Sequence, residues 1–103
     1  MINVDRALRN SIRTGKVLLG SSQTLNAGIS GQAELLIYAT DCPPAVSRQL
    51  DDLDVPTYSY PNGGRELGSA CGKPFSVAAL AIIEPGESDV MALLREIRGV
   101  ENE

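Results

Sequence analysis

The residues with the most chemical content run from Asn62 to Glu84. Asn62-Gly63-Gly64-Arg65-Glu66-Leu67-Gly68-Ser69-Ala70-Cys71-Gly72-Lys73-Pro74-Phe75-Ser76 precedes an apolar run from Val77 to Ile83. Paired glycines give a tight loop whose backbone N–H groups can face an anion. A short helix, a glycine stop and a proline-stiffened turn then present a single aromatic residue ahead of a buried strand. This is the make-up of a recognition surface on a rigid scaffold, not of a hydrolytic centre.

Other chemistries find little support. The chain has no histidine, which removes Ser-His-Asp and Cys-His catalysis and the commonest metal ligand. Cys42 and Cys71 lack C-x-x-C spacing, so no zinc site is expected. With no signal peptide and no long apolar span, they read as reduced thiols of a soluble cytosolic protein. Gly68 to Lys73 resembles a phosphate-binding P-loop only superficially. Its glycine spacing is one residue short, no Ser or Thr follows Lys73, and Pro74 removes a donor. A helix closed by a C-terminal glycine is the expected reading. Asp51, Asp52 and Asp54 lack the ligand pattern and glycine of a calcium loop and read as a solvated helix end.

Three further positions carry two readings each. Gly20-Ser21-Ser22-Gln23-Thr24 follows a strand and opens a helix. It is either a plain helix cap or a helix N-terminus that meets a phosphate or base edge, with Gln23 and Thr24 as uncharged hydrogen-bonding groups. Asp41 follows an apolar strand at the edge where α/β ligands usually bind, or else caps the helix at Pro44. Phe75 is either a core plug or a stacking contact for an unstacked nucleotide.

The elements that must position these residues alternate in type. Val4, Leu8 and Ile12 mark an amphipathic helix ended by Gly15. Lys16 to Leu19 is a short strand, and Gly20-Ser21-Ser22 offers a turn and an N-cap for a helix in which Leu25 and Ile29 share a face and Gly31 is the stop. Leu35 to Ala39 reads as a strand covered on both faces. Pro43-Pro44 starts a helix with Val46, Leu50 and Leu53 as its buried stripe. Val55-Pro56-Thr57-Tyr58 is an edge strand, and Val77 to Ile83 a central one. Ser88 caps a last helix bearing Val90, Leu93, Leu94 and Ile97. Residues 99–103 form an acidic tail expected to fray. The order αβαβαβαβα implies an α/β fold with a largely parallel sheet and helices on both faces.

At 103 residues this is one domain, able to bury roughly 60–70% of its unfolded surface. Four aromatic residues and no tryptophan leave the core to aliphatic side chains. A net charge of −4 argues against non-specific nucleic-acid binding but not against a local basic patch. Arg6, Arg9, Arg13 and Lys16 cluster near the start. Seven arginines to two lysines, with an acidic balance, is compatible with work in high salt.

Taken together, Thr14-Gly15-Lys16, Gly20 to Thr24, Leu35 to Ala39 with Asp41 and Pro43, Glu66-Leu67-Gly68 to Gly72-Lys73, and Glu84-Pro85-Gly86-Glu87-Ser88 resemble the archaeal and eukaryotic large-subunit ribosomal protein family "L thirty e". That family is a branch of the kink-turn RNA-binding superfamily. The resemblance spans residues 5 to 94. It implies a three-layer α/β/α sandwich, with a four-stranded mixed sheet and helices on both faces, and a single RNA-binding domain over residues 1–103. It further implies a non-enzymatic constituent of the large subunit of cytoplasmic ribosomes that binds a kinked internal loop of rRNA. Its partners would be rRNA and other large-subunit proteins, with no cofactor, metal, membrane or small-molecule substrate. The RNA-contacting residues it implies are Gly20, Ser22, Gln23, Thr24 and Asn26 at the second helix, Asp41 after the second strand, and Phe75, Ser76 and Val77 before the last. Arg65 and Glu66 flank them, and Gly63 and Gly64 shape the adjacent loop. Relatives often carry lysine at the places of Ser22 and Asn26, and asparagine at that of Asp41. The neutral residues here imply a weaker charge-driven share of affinity.

Three other functions fit less well. A kink-turn protein of a guide-RNA or regulatory particle would share the same surface. A protein-interaction domain without RNA binding would suit the negative charge. A small α/β nucleotide-binding enzyme would lack a P-loop and paired carboxylates.

Overall fold

A computed structural model describes residues 3–94. Helix α1 covers Val4–Thr14, strand β1 Lys16–Leu19, α2 Ser21–Ile29, β2 Leu35–Tyr38, α3 Pro44–Asp51, β3 Thr57–Ser59, α4 Gly64–Ala70 and β4 Ala79–Glu84; a 3₁₀ turn follows at Val90–Ala92. Strand order in the one sheet is β1-β4-β2-β3. Asn3 caps α1 by accepting the Arg6 amide hydrogen at 3.0 Å, and the Gly15 N–H closes it on the Ser11 carbonyl.

Strand side chains alternate between faces, so a continuous apolar run serves two cores at once. Leu35, Ile37, Leu80 and Ile82 point to one face, where Ala7 and Leu8 of α1, Leu67 of α4, and Val90 and Leu93 cover them. Leu36, Ala79 and Ala81 point to the other, against Ala27 of α2 and Leu50 of α3. The result is the three-layer α/β/α sandwich with a mixed sheet. Each fully buried leucine or isoleucine adds about 1.5–3 kcal/mol relative to an exposed one.

The sheet is not largely parallel, as the strand–helix alternation implied. Only β2 and β3 run parallel; β4 is antiparallel to both of its neighbours. The cause lies at the end of α4. Gly72 adopts φ +77°, its N–H bonds to the Ser69 carbonyl, and the Lys73 N–H bonds back to Gly68 at 2.9 Å. This left-handed closure reverses the chain instead of letting it cross over. Residues 75–77 run back along α4, where the Val77 N–H meets the Gly64 carbonyl at 3.0 Å. The chain therefore starts β4 at the same sheet edge from which it left β3.

Smaller expectations also shift. The last strand begins at Ala79 rather than Val77. Leu25 packs on the core, but its helical partner Ile29 is 65% exposed. No side chain caps α2; Gly20 holds the cap position with φ +110°. The cap position of the last turn is Asp89, without a side-chain cap bond; Ser88, one residue earlier, accepts from the Val90 N–H at 3.0 Å and donates to the Ala7 carbonyl. The turn is 3₁₀ and continues into helical Leu93 and Leu94. Ile97 and the tail lie outside the described residues.

Candidate nucleic-acid interface

The sequence-singled residues converge on one edge of the sheet, formed by the C-terminal ends of β1, β2 and β3 and the start of β4. Main-chain bonds lace this edge together. The Gly20 N–H donates to Ala79 at 2.8 Å, the Ala39 N–H to Ala78 at 2.9 Å, and the Thr40 N–H to Asn62 at 3.0 Å.

At the start of α2, Gly20 is required by its positive φ. Space beyond it is open, since a Cβ there would meet nothing within 4 Å. Its carbonyl accepts from both the N–H and the hydroxyl of Thr24, at 2.9 and 2.6 Å. Thr24 is fully buried, so it fixes the first turn and is not free to offer a side chain to a ligand, which corrects the sequence expectation. Ser22, Gln23 and Asn26 are exposed. No side chain caps this helix, which leaves the positive end of its dipole turned outward beside three uncharged donors and acceptors.

Asp41 is exposed and does not cap α3, whose N-cap position is Pro43, without a side-chain cap bond. Its Oδ1 instead accepts the Gly64 amide hydrogen at 2.9 Å. The anion that the Gly63-Gly64 loop faces is thus built into the protein. Arg65 and Glu66 lie exposed in the first turn of α4, whereas Gly64 is buried under the returning chain.

That return explains two glycines which the sequence presented only as turn formers. Gly64 and Gly68 lie one turn apart on the face of α4 against which residues 75–77 run. A Cβ on Gly64 would sit 3.1 Å from the Val77 carbonyl oxygen, and one on Gly68 would collide with that of Phe75. The Gly-x-x-x-Gly spacing was visible in the sequence and is the signal for this close approach. Val77 is 3% exposed and belongs to the core, so it anchors the loop and offers no apolar contact outward. Phe75 is 55% exposed, which excludes the core-plug reading. With Ser76 it lines a cleft of about 320 Å³ completed by Arg65, Ser69, Lys73 and Pro74. Lys73 was not among the site residues the sequence singled out.

Both cysteines are free and buried. Burial pushes the Cys42 thiol up, helped by the nearby Asp41 charge, and pushes that of Cys71 up to about 11. Neither is a poised nucleophile. Among the described residues no three Cys, Asp or Glu side chains converge as a metal-ligand group, and no helix is long and apolar enough to cross a membrane. The arrangement offers hydrogen bonds, a helix dipole and one stacking surface.

The profile of the ribosomal protein L7Ae/L30e/S12e/Gadd45 family matches residues 2–92. The large ribosomal subunit protein eL30 of Methanothrix thermoacetophila is 66% identical over 103 residues, covering all of both chains. Its namesake in Methanospirillum hungatei is 45% identical over 95 residues, 91% of this chain and 100% of the relative. That of Methanosarcina mazei is 41% identical over 91 residues, 88% of each. A profile match over most of the chain, with relatives this similar from end to end, shows that the chain belongs to the ribosomal protein L7Ae/L30e/S12e/Gadd45 family.

Proposed function

We propose that this protein is a structural constituent of the large subunit of cytoplasmic ribosomes, where it holds a kinked internal loop of rRNA and neighbours other large-subunit proteins. The observation that carries the RNA-binding part is the convergence of the uncapped α2 start, Asp41 and exposed Phe75 on one sheet edge. Full-length identity to proteins named for the large subunit supports the ribosomal part.

A sharp bend in RNA splays bases and widens a groove that a helix end and a loop can engage by shape. Here the α2 dipole and its outward amides suit a phosphate. Ser22, Gln23 and Asn26 suit base edges and sugar hydroxyls, and Phe75 offers a face on which an extruded base can stack. Thr24, Val77, Gly64 and Gly68 hold these groups in place. Arg65, Glu66 and Ser76 border the contact. The role is positional, with no bond made or broken.

Two measurements test this. The protein should cosediment with large subunits from its own source. It should also bind an RNA hairpin with a kinked internal loop at least about tenfold, or 1.4 kcal/mol, more tightly than the same hairpin fully paired. Equal affinity for the two RNAs would remove the kinked-loop reading, and absence from the subunits would remove the ribosomal one.

A further inference from the structure

The edge just described leaves most of the positive charge without a role. Arg6 and Arg9 stand exposed on α1 and line, with Asn3, Asp5 and Asn10, a second cleft of about 410 Å³. Lys73 and Arg65 line the cleft beside Phe75. α1 packs against α4, both on the face of the sheet where Ala7, Leu8 and Leu67 cover Leu35 and Leu80, so the two clefts belong to one layer. None of these four cationic groups is held in an ion pair or hydrogen bond among the described residues. Nearby Asp5 is turned to the Tyr60 hydroxyl, and Glu66 lies beside Gly63. Of the other acids, Asp51, Asp52 and Asp54 stand at or just beyond the end of α3, on the opposite layer, while Glu84 ends β4 and Glu87 and Asp89 follow it beside α1, where the Glu87 N–H bonds to Thr14 and Ser88 to the Ala7 carbonyl.

Four unpaired cations on one layer of a chain of net charge −4 form a local positive track in an otherwise repulsive field. Their neighbours are Asn3, Asn10 and Ser69, neutral groups that suit phosphate and sugar oxygens. Phe75 lines the same cleft as Lys73 and Arg65, at the end of the track where it joins the proposed loop-binding edge. Such a surface reads backbone and shape, not sequence.

We propose that the track from Arg6 and Arg9 through Lys73 to Arg65 is a second RNA-binding surface, which grips the phosphate backbone of a duplex flanking the kinked loop. The proposal rests on the RNA-binding reading above, but its failure is separable from that reading.

The test uses the full chain and two charge-matched variants, R9Q/K73Q on the track and K16Q/R48Q off it. Each is titrated by fluorescence anisotropy, over a range of KCl, against a regular RNA duplex of about 16 base pairs and against the kinked-loop hairpin with short stems. The track variant should lose duplex affinity about tenfold or more, with a salt slope shallower by about 1 to 2. The off-track variant should stay within about threefold of the parent, and all three should bind the short hairpin alike. Equal duplex binding by the two variants would overturn the track, leaving net charge as the cause. A parent that ignores duplex RNA would overturn it too, leaving the cations to an acidic protein partner. Should the duplex result hold while no chain binds the hairpin, the track stands and the kinked-loop reading falls.

Discussion

The Oδ1 atom of Asp41 accepts the amide hydrogen of Gly64 at 2.9 Å, tying the end of β2 to the start of α4 across 23 residues of chain. Gly63, at the N-cap of α4, has no side chain to do this. The carboxylate therefore acts as a cap supplied from another segment, and it also favours the positive end of the helix dipole. Asp41→Ala should cost about 1 kcal/mol of stability, in the range of a lost helix cap. Asp41→Asn keeps an acceptor oxygen and should cost clearly less. Urea unfolding of the three proteins at one pH checks the order. Equal losses in the two variants would mean that charge, not the hydrogen bond, matters.

Gly68 carries the second constraint on the same loop. A methyl group there would meet the Phe75 carbonyl, a backbone atom that cannot rotate aside. Overpacking of this kind costs about 1–3 kcal/mol, while alanine in a helix recovers about 1 kcal/mol over glycine. Because the obstacle is backbone, the clash should win. Gly68→Ala is expected to be destabilised by about 1–2 kcal/mol and to lose RNA affinity through displacement of Phe75. Thermal melts and binding titrations measure the two effects separately.

Much of this was legible in the residues, for physical reasons that differ by element. Runs such as Leu35 to Ala39 and Val77 to Ile83 are apolar at every position, which only a strand between two helical layers requires. Their assignment followed from continuous apolarity over a short length, although β2 stops at Tyr38 and β4 begins only at Ala79. Strand direction did not follow, because it depends on a reversal at Gly72 that looks in sequence like any helix stop. Burial within a polar motif was also hidden. Thr24 and Gln23 are neighbours of similar polarity, and only the helical turn decides that one bonds Gly20 inside and the other faces out. Asp41 was ambiguous because its partner is distant in sequence, and a carboxylate after a strand resembles a local cap wherever a helix follows.

Phe75 gives the cleanest separation of stability from binding. At 55% exposure its ring adds little to the core, so Phe75→Ala should change stability by less than about 1 kcal/mol. Loss of a stacked base should cost about 1–3 kcal/mol in RNA affinity. Gln23→Ala should behave likewise, with a loss of about 1–3 kcal/mol if the amide reads a base edge. Kinked-loop binding at parental affinity by both variants would place the RNA on another face.

High pH should loosen the α1 side of the molecule first. Burial, with Asp5 beside the ring, pushes the Tyr60 hydroxyl up to about 12, and its hydrogen bond to Asp5 is 2.8 Å long. Burial pushes the Cys71 thiol up to about 11. Both groups ionise more easily in the unfolded chain, near 9 for the thiol and 10 for the phenol. Their contribution is therefore complete below pH 9 and is lost as pH climbs through 11 and 12. Tm should fall steadily above pH 9, by about 4–8 °C for each kcal/mol lost. Tyr60→Phe should start lower at pH 7, having lost a hydrogen bond to a charged group, and then fall less steeply. Parallel pH–Tm curves for the two proteins would exclude Tyr60 from the transition.

Charge can be added back to the proposed ledge. Ser22 and Asn26 are exposed one turn apart on α2, so two lysines there would extend over the same strand of a bound RNA. An ammonium at Ser22 would lie in the first turn, where the dipole slightly disfavours it, at about 0.3–1 kcal/mol, whereas Asn26 lies beyond that turn. Contact with phosphate would outweigh that cost at low salt. Ser22→Lys with Asn26→Lys should tighten kinked-loop binding in dilute KCl and steepen the log K against log salt plot by about 0.7 per lysine, the single-strand value. The gain should shrink as salt rises, because released counterions supply it. An unchanged slope would mean that neither position approaches a phosphate and that α2 meets the RNA, if at all, through its neutral groups alone.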